Sequence, residues 1–142
     1  MFLGRYSHNV DTKGRLAIPA RFRDALGDEV VITRGIDRCL SLYPMETWTP
    51  LAEKVSSLSI SDPDARNFRR MVFAEASYLE VDRQGRILLP ADLRQFAEID
   101  REAMVVGVHS YIEIWSPDRW NTQSQVMDEE GSSIAERLAE FI

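Results

Sequence analysis

The sequence predicts a mixed α+β protein: two tandem β-β-α-β-β units, small and barrel-like, related by a pseudo-two-fold axis and interlocked into one globule. Three observations predict it. A fourteen-residue stretch, Val10 to Arg23, recurs as Val81 to Arg94, seventy-one positions later. Seven of its positions are identical in order and without a gap, and the pairs Leu16/Ile87, Ala17/Leu88 and Ile18/Leu89 keep apolar character. After each copy the same succession follows: a short helix, a β-branched run, then an alternating run. Units of about forty residues bury too little surface to stand alone, so the two copies are expected to share a core.

Each copy reads as a β-hairpin entering a helix. Asp11 and Arg15 flank a three-residue loop ending in Gly14, the pattern of a type I turn closed by a left-handed residue. Arg83-Gln84-Gly85 repeats it between Asp82 and Arg86. In such a hairpin Asp11 faces Arg15 on one side of the ribbon, and Val10 lies near Leu16 on the other. Pro19 suits the first position of a helix carrying Phe22 and Leu26 inward, with Gly27 as its stop.

Val30 to Thr33 predicts a buried strand, and Leu40 to Tyr43 a second one, ended by Pro44. Helical spacing then takes over: Trp48, Leu51, Ala52, Val55 and Leu58 share one stripe. Pro50 within it predicts a start at a Thr49 cap, or a kink. Asp62-Pro63 opens another helix, with Phe68, Met71, Val72 and Ala76 as its buried stripe and Arg66, Arg69 and Arg70 on its outer faces, expected to be solvated, with phosphate or subunit contact as the alternative.

The pattern then restarts. Tyr78 to Val81 and Arg86 to Leu89 predict the second hairpin, Pro90 to Ala97 its helix, and Met104 to Val108 and Ile112 to Trp115 the closing strands. The C-terminal part is acidic through Glu130 and predicts a small terminal helix, where Ser133 and Glu136 have capping-box spacing. These readings divide the chain into a first unit (5–47), a helical connection (48–75), a second unit (76–119) and an acidic tail (120–142).

The formal net charge is −6, but its distribution is uneven. Residues 1–23 carry a net +4 and residues 66–94 a net +2, whereas 24–65 carry −5 and 95–142 carry −7. Positive charge therefore gathers around the repeated hairpins, and a polyanion meets that local patch first. Fifteen of the seventeen basic residues are arginine, whose planar fork suits phosphates and guanine edges.

Other functions find little support. A lone cysteine, Cys39, excludes an intrachain disulfide and a Cys-rich metal site, fits a reducing compartment, and reads as a small buried hydrophobe. His8 and His109 stand in unrelated contexts, and there is no phosphate-cradling glycine loop or HExxH spacing. Neither a catalytic residue, a metal site, a cofactor nor a small-molecule substrate is expected, and Asp128 to Glu130 reads as a solvated acidic run. No apolar run suits a signal peptide or a membrane span of roughly 20 residues, so the expected location is cytoplasmic.

At these residues the chain resembles the MraZ family, bacterial proteins carrying two SpoVT-AbrB (swapped-hairpin) units. The resemblance rests on the Met-Phe-x-Gly start, the paired Asp-x-x-x-Arg loops at 11–15 and 82–86, and the proline after each. It covers nearly the full length and is weakest beyond about residue 120. It implies a nucleoid-associated transcriptional regulator that binds short direct repeats in double-stranded DNA upstream of the division and cell-wall gene cluster, usually repressing it. It also implies a ring-shaped homo-oligomer.

Carried onto this chain, the DNA-contacting positions are Arg15 with Lys13 beside it, and Arg86 in the second copy. Two departures matter: Gln84 stands where the first copy has Lys13, and Asp92 where it has Arg21. The first repeat is therefore expected to dominate. A two-stranded ribbon fits the major groove, where an arginine can take guanine O6 and N7 in a bidentate pair worth about 1–3 kcal/mol of discrimination. Asp11 and Asp82, with Gly14 and Gly85, would orient that arginine, while Lys13, Arg21 and Arg23 would meet phosphates, with Arg5 as another candidate; Thr12 and Arg83 are further DNA-binding positions on the loops. The plain alternative is an exposed cross-strand ion pair worth about 0.2–1 kcal/mol. The functional rival is an antitoxin-like module of the same fold, whose tail inhibits a partner protein. Trp48, Trp115 and Trp120 read as core or interface anchors rather than base-stacking platforms.

Overall fold

The two repeats exchange strands. The computed structural model describes residues 1–142, which form β1 (Arg5–Asn9), β2 (Arg15–Ala17), α1 (Ala20–Leu26), β3 (Glu29–Arg34), β4 (Leu40–Pro44), α2 (Met45–Ser56), α3 (Pro63–Phe73), β5 (Ser77–Glu80), β6 (Arg86–Leu88), α4 (Ala91–Ala97), β7 (Glu102–Val108), β8 (Tyr111–Trp115) and α5 (Pro117–Leu138). A single 3-10 turn, Ala139–Phe141, follows.

The predicted hairpins close only at their tips. Val10 bridges Leu16, and then the arms part. β1 runs antiparallel to β7 of the second repeat, with Arg5 opposite Val106 and Asn9 opposite Glu102. β5 likewise pairs with β3 of the first, Leu79 opposite Val30. β2 and β6 pair with each other, Leu16 opposite Ile87. The result is a six-stranded sheet ordered β1-β7-β8-β4-β3-β5 and a separate two-stranded ribbon, β2-β6. All pairings are antiparallel.

The physical reason lies in what each arm must bury. An isolated two-stranded hairpin is marginal in water, and Leu16, Ile18, Ile87 and Leu89 cannot all be covered within their own copies. Exchange places all four in one nineteen-residue core with Phe22, Leu26, Leu93 and Ala97 from α1 and α4. Phe22 meets the rings of Phe2 and Tyr6 edge-on, each at 5.4 Å between centroids. The exchange also repeats itself across the pseudo-dyad. The Ile18 N–H donates to the Gly85 carbonyl at 2.8 Å, and the Leu89 N–H to the Gly14 carbonyl at 2.9 Å.

Three predicted elements differ. α2 begins directly after Pro44 and runs through Pro50; Thr49 is not its cap. Pro50 is the sixth helical residue, so the Glu46 carbonyl goes without the N–H that would have met it there. The Thr47 hydroxyl donates to the Ser110 carbonyl at 2.8 Å, and Trp48 packs near Tyr43 and Phe73. These contacts hold the first turn in place.

α3 starts as expected, the Asp62 carboxylate accepting the Asp64 N–H at 2.9 Å. Its apolar stripe is not buried, however: Phe68 and Met71 stay 37% and 50% exposed, because α3 rests on β3 and α2 from one side only. Nor is Arg69 solvated. Its guanidinium donates to the carbonyls of Val55, Ser56 and Leu58 and so satisfies the end of α2.

The C-terminal region is one helix of 22 residues, α5, rather than an acidic stretch with a small helix at its end. Ser116 caps it by accepting the Arg119 N–H at 3.2 Å, and Pro117 occupies its first turn. Trp120 packs against Trp115, and both are buried as anchors. Ser133 and Glu136 consequently sit inside a helix, not at its start. No helix is long and apolar enough to cross a membrane.

Candidate nucleic-acid interface

Both loops are built alike, atom for atom. In the first, the Gly14 N–H donates to the Asp11 carbonyl at 2.9 Å and the Asp11 N–H to the Arg15 carbonyl at 3.0 Å. Asp11 Oδ1 accepts the backbone N–H of Lys13 at 3.0 Å and of Arg15 at 2.8 Å, and Oδ2 accepts Arg15 Nε at 2.7 Å. In the second, Asp82 Oδ1 accepts the N–H of Gln84 and Arg86, each at 2.9 Å, and Oδ2 accepts Arg86 Nε at 3.0 Å. These bonds, the arginine's backbone N–H foremost and then its guanidinium, hold both carboxyls below the ordinary carboxylate range. Each aspartate thus shapes its loop and fixes its arginine by one edge. The Nη groups remain available to donate outward.

The loops favour glycine first for its backbone, and a Cβ would in addition displace an arginine that packs over them. Gly14 and Gly85 have φ of +86° and +76°, in the left-handed region. A Cβ at Gly14 would also stand 2.9 Å from the guanidinium carbon of Arg94, and one at Gly85 would collide with Arg23. Each of these arginines comes from the opposite repeat. Arg23 Nε donates to the Ile18 carbonyl at 3.0 Å, and Arg94 Nε to the Leu89 carbonyl at 3.1 Å. Arg23, expected to meet phosphate, is therefore engaged in clamping the other repeat's loop. Arg94 received no role from the sequence. The signal was present in the repeat: its last identity is this arginine.

Strand exchange brings the two loops' arginines onto one surface. Leu16 and Ile87 turn into the core, so Arg15, Ala17, Arg86 and Leu88 all lie on the outer face of the ribbon. Arg86 Nη1 comes within 3.9 Å of Asp11 Oδ2, joining both ion pairs into one cluster. The side chains of Arg15 and Arg86 keep 33% and 26% of their exposure, enough to reach a ligand. Thr12, Lys13 and Arg83 are exposed on the loops, and Arg21 is exposed on the first turn of α1. Arg5 is not part of this cluster. It lies at the far end of β1, about 20 Å of extended strand from Asp11, with its guanidinium 6.0 Å from the Trp120 ring centre.

Acid borders the first loop. An open groove of about 1110 Å³ beside Asn9 to Thr12 is lined by Glu98, Asp100, Glu102 and Asp118 together with Arg94 and Arg101. Its acidic excess is unfavourable to a polyanion. His8, in β1, is held below the usual imidazole range by burial and then by the Arg23 charge. Cys39 is fully buried, its thiol pushed up to about 12 mainly by that burial.

What these elements define is a duplicated, strand-exchanged α+β protein that offers two matched arginine loops on one short ribbon. Comparison with known proteins gives that class a family. A family model described as "MraZ protein, putative antitoxin-like" matches residues 1–71 and again 72–142. The chain is 69% identical over 142 residues to the "Transcriptional regulator MraZ" of Thermomicrobium roseum, covering 100% of both chains. It is 53% identical over 141 residues to the protein of the same name from Roseiflexus castenholzii, covering 99% of each. The corresponding protein of Moorella thermoacetica is 48% identical over 141 residues, again covering 99% of each. The chain belongs to the MraZ family, whose named members are regulators rather than enzymes.

Proposed function

We propose that this chain is a sequence-specific, double-stranded DNA-binding regulator of transcription, acting through the outer face of the β2-β6 ribbon. One observation carries the reading: two buttressed arginines from two repeats share a single exposed face. Arg15 and Arg86 take guanine edges in the major groove, each held by its aspartate so that little side-chain entropy is lost on binding. Thr12, Lys13, Arg83 and Arg21 meet flanking phosphates, and Arg5 meets one farther along the duplex. Residues 5–47 and 76–119 are the two DNA-facing units, 48–75 their connection and 120–142 the tail.

The targets are short direct repeats upstream of the division and cell-wall cluster, with repression as the outcome and the nucleoid as the place of action. A ring-shaped homo-oligomer presents many such faces at once and multiplies a weak single contact through effective concentration. The first repeat contributes more, since Arg21 supports it where Asp92 opposes the second. A footprint on the DNA upstream of the chain's own gene tests the reading: protected, regularly spaced repeats are expected, lost on Arg15→Ala. Unchanged protection by that variant would refute the role given to Arg15.

The antitoxin-like reading has one observation in its favour, the exposed Met127, Leu138 and Phe141 toward the C-terminus. Light scattering separates the two: a large closed assembly supports the regulator, and a dimer holding a partner protein supports the rival.

A further inference from the structure

The ribbon's outer face carries an apolar residue that the fold does not use. Leu88 lies between the buried Ile87 and Leu89, yet is itself 55% exposed. In register it stands directly opposite Arg15, while Arg86 stands opposite Ala17. The repeat makes Leu88 the counterpart of Ala17, so the otherwise duplicated face differs here: one arginine has a leucine beside it, the other an alanine. Directly opposed residues of an antiparallel pair keep their Cβ atoms about 4.5–5.5 Å apart. A duplex seated on Arg15 at this face therefore has Leu88 beside it across the ribbon. Both guanidiniums select a polyanion at this face, and the apolar feature that a DNA major groove displays beside its hydrogen-bonding edges is the thymine C5-methyl.

We propose that Leu88 is a specificity-determining residue: it packs against the methyl group of a thymine neighbouring the base pair contacted by Arg15. Resting on the DNA-binding reading above, this gives the pseudo-symmetric face a direction. The half containing Arg15 and Leu88 reads a guanine next to a thymine, whereas the half containing Arg86 and Ala17 reads a guanine without that neighbour.

The test uses the full-length protein and its footprinted site, with thymines replaced by uracil on one strand and then the other, which removes only the methyl groups. Wild-type protein is expected to bind the uracil site about three- to fivefold more weakly, the worth of one methyl group withdrawn from water. Leu88→Ala is expected to bind both sites equally, at the weaker level, with unchanged assembly mass. Three results would overturn the proposal: wild type indifferent to the methyls, Leu88→Ala as sensitive as wild type, or a Leu88→Ala variant whose assembly mass falls, which would make Leu88 a subunit contact. Arg15→Ala separates this failure from that of the underlying reading. If it abolishes specific binding while the methyls prove irrelevant, only Leu88's role fails; if it binds as wild type does, both fail.

Discussion

The two loops share a geometry but not a chemistry. Their aspartates accept the same three kinds of hydrogen bond at nearly equal lengths, and their glycines take similar positive φ. Around this common frame the equivalent positions differ: Thr12-Lys13 corresponds to Arg83-Gln84, Arg21 to Asp92, and Ala17 to Leu88. One further difference is geometric. Asp11 draws in Arg86 of the other loop at 3.9 Å, whereas Asp82 pairs with its own arginine alone. The lesson is that the fold enforces the frame, through the crossed clamps Arg23 on Gly85 and Arg94 on Gly14, and leaves the surrounding residues free to differ in what they bind.

The largest effect is expected from removing what both loops stand on. Leu16→Ala leaves a cavity between the ribbon and the core where Leu16 is fully buried, at a cost of about 2–5 kcal/mol. A lower urea midpoint, with both loops failing together, is the expected result; loss of one loop alone would contradict the shared frame. Gly85→Ala comes next. A left-handed φ and a collision with Arg23 should cost about 1–3 kcal/mol, and trimming the clamp in Gly85→Ala/Arg23→Ala should recover the part due to collision.

The carboxylates offer a finer contrast. Asp11→Ala is expected to disturb both arginines and Asp82→Ala mainly Arg86, readable as the loss of guanidinium Nε–H signals in NMR spectra; equal effects would argue against Asp11 as the shared acceptor. Acid acts on the same groups. Their pKa values are lower folded than unfolded, so their contribution is complete above the ordinary carboxylate range and vanishes as pH falls through the depressed values. Wild type should therefore lose more stability than Asp11→Asn/Asp82→Asn on acidification below about pH 4, and remain level with it between pH 6 and 8 relative to their own starting points. The smallest effect concerns loop charge. Lys13→Gln should lower the salt slope of DNA binding by about one per DNA-bound protomer, and Gln84→Lys should raise it by a similar amount; a flat response to both would place the phosphates elsewhere.

Much of the loop was legible beforehand, because an Asp-x-x-Gly-Arg turn is a local device: its hydrogen bonds connect residues at most four apart. The strands' partners were not. Val10 facing Leu16 is compatible with a hairpin or with exchange, and only the burial of Leu16, Ile18, Ile87 and Leu89 together decides between them. Pro50 misled because contacts of Thr47 and Trp48 from elsewhere in the fold hold the turn that precedes it. Ser133 misled for the opposite reason: a capping pattern has no force when the helix is already running from Ser116. Arg69 reads as a surface charge because its carbonyl partners lie at the end of another helix; Arg94 received no role because nothing local links it to Gly14 of the other repeat. Leu88 hid in an apolar triplet, where alternation alone shows which member must point outward.

The most direct measurement is methylation interference at guanine N7 within the footprinted repeats. Methylated guanines at discrete positions should block wild-type binding, and Arg15→Ala should lose sensitivity at one set of positions while Arg86→Ala loses it at another. If both variants keep the wild-type interference pattern, the arginine ribbon does not read DNA and the account fails.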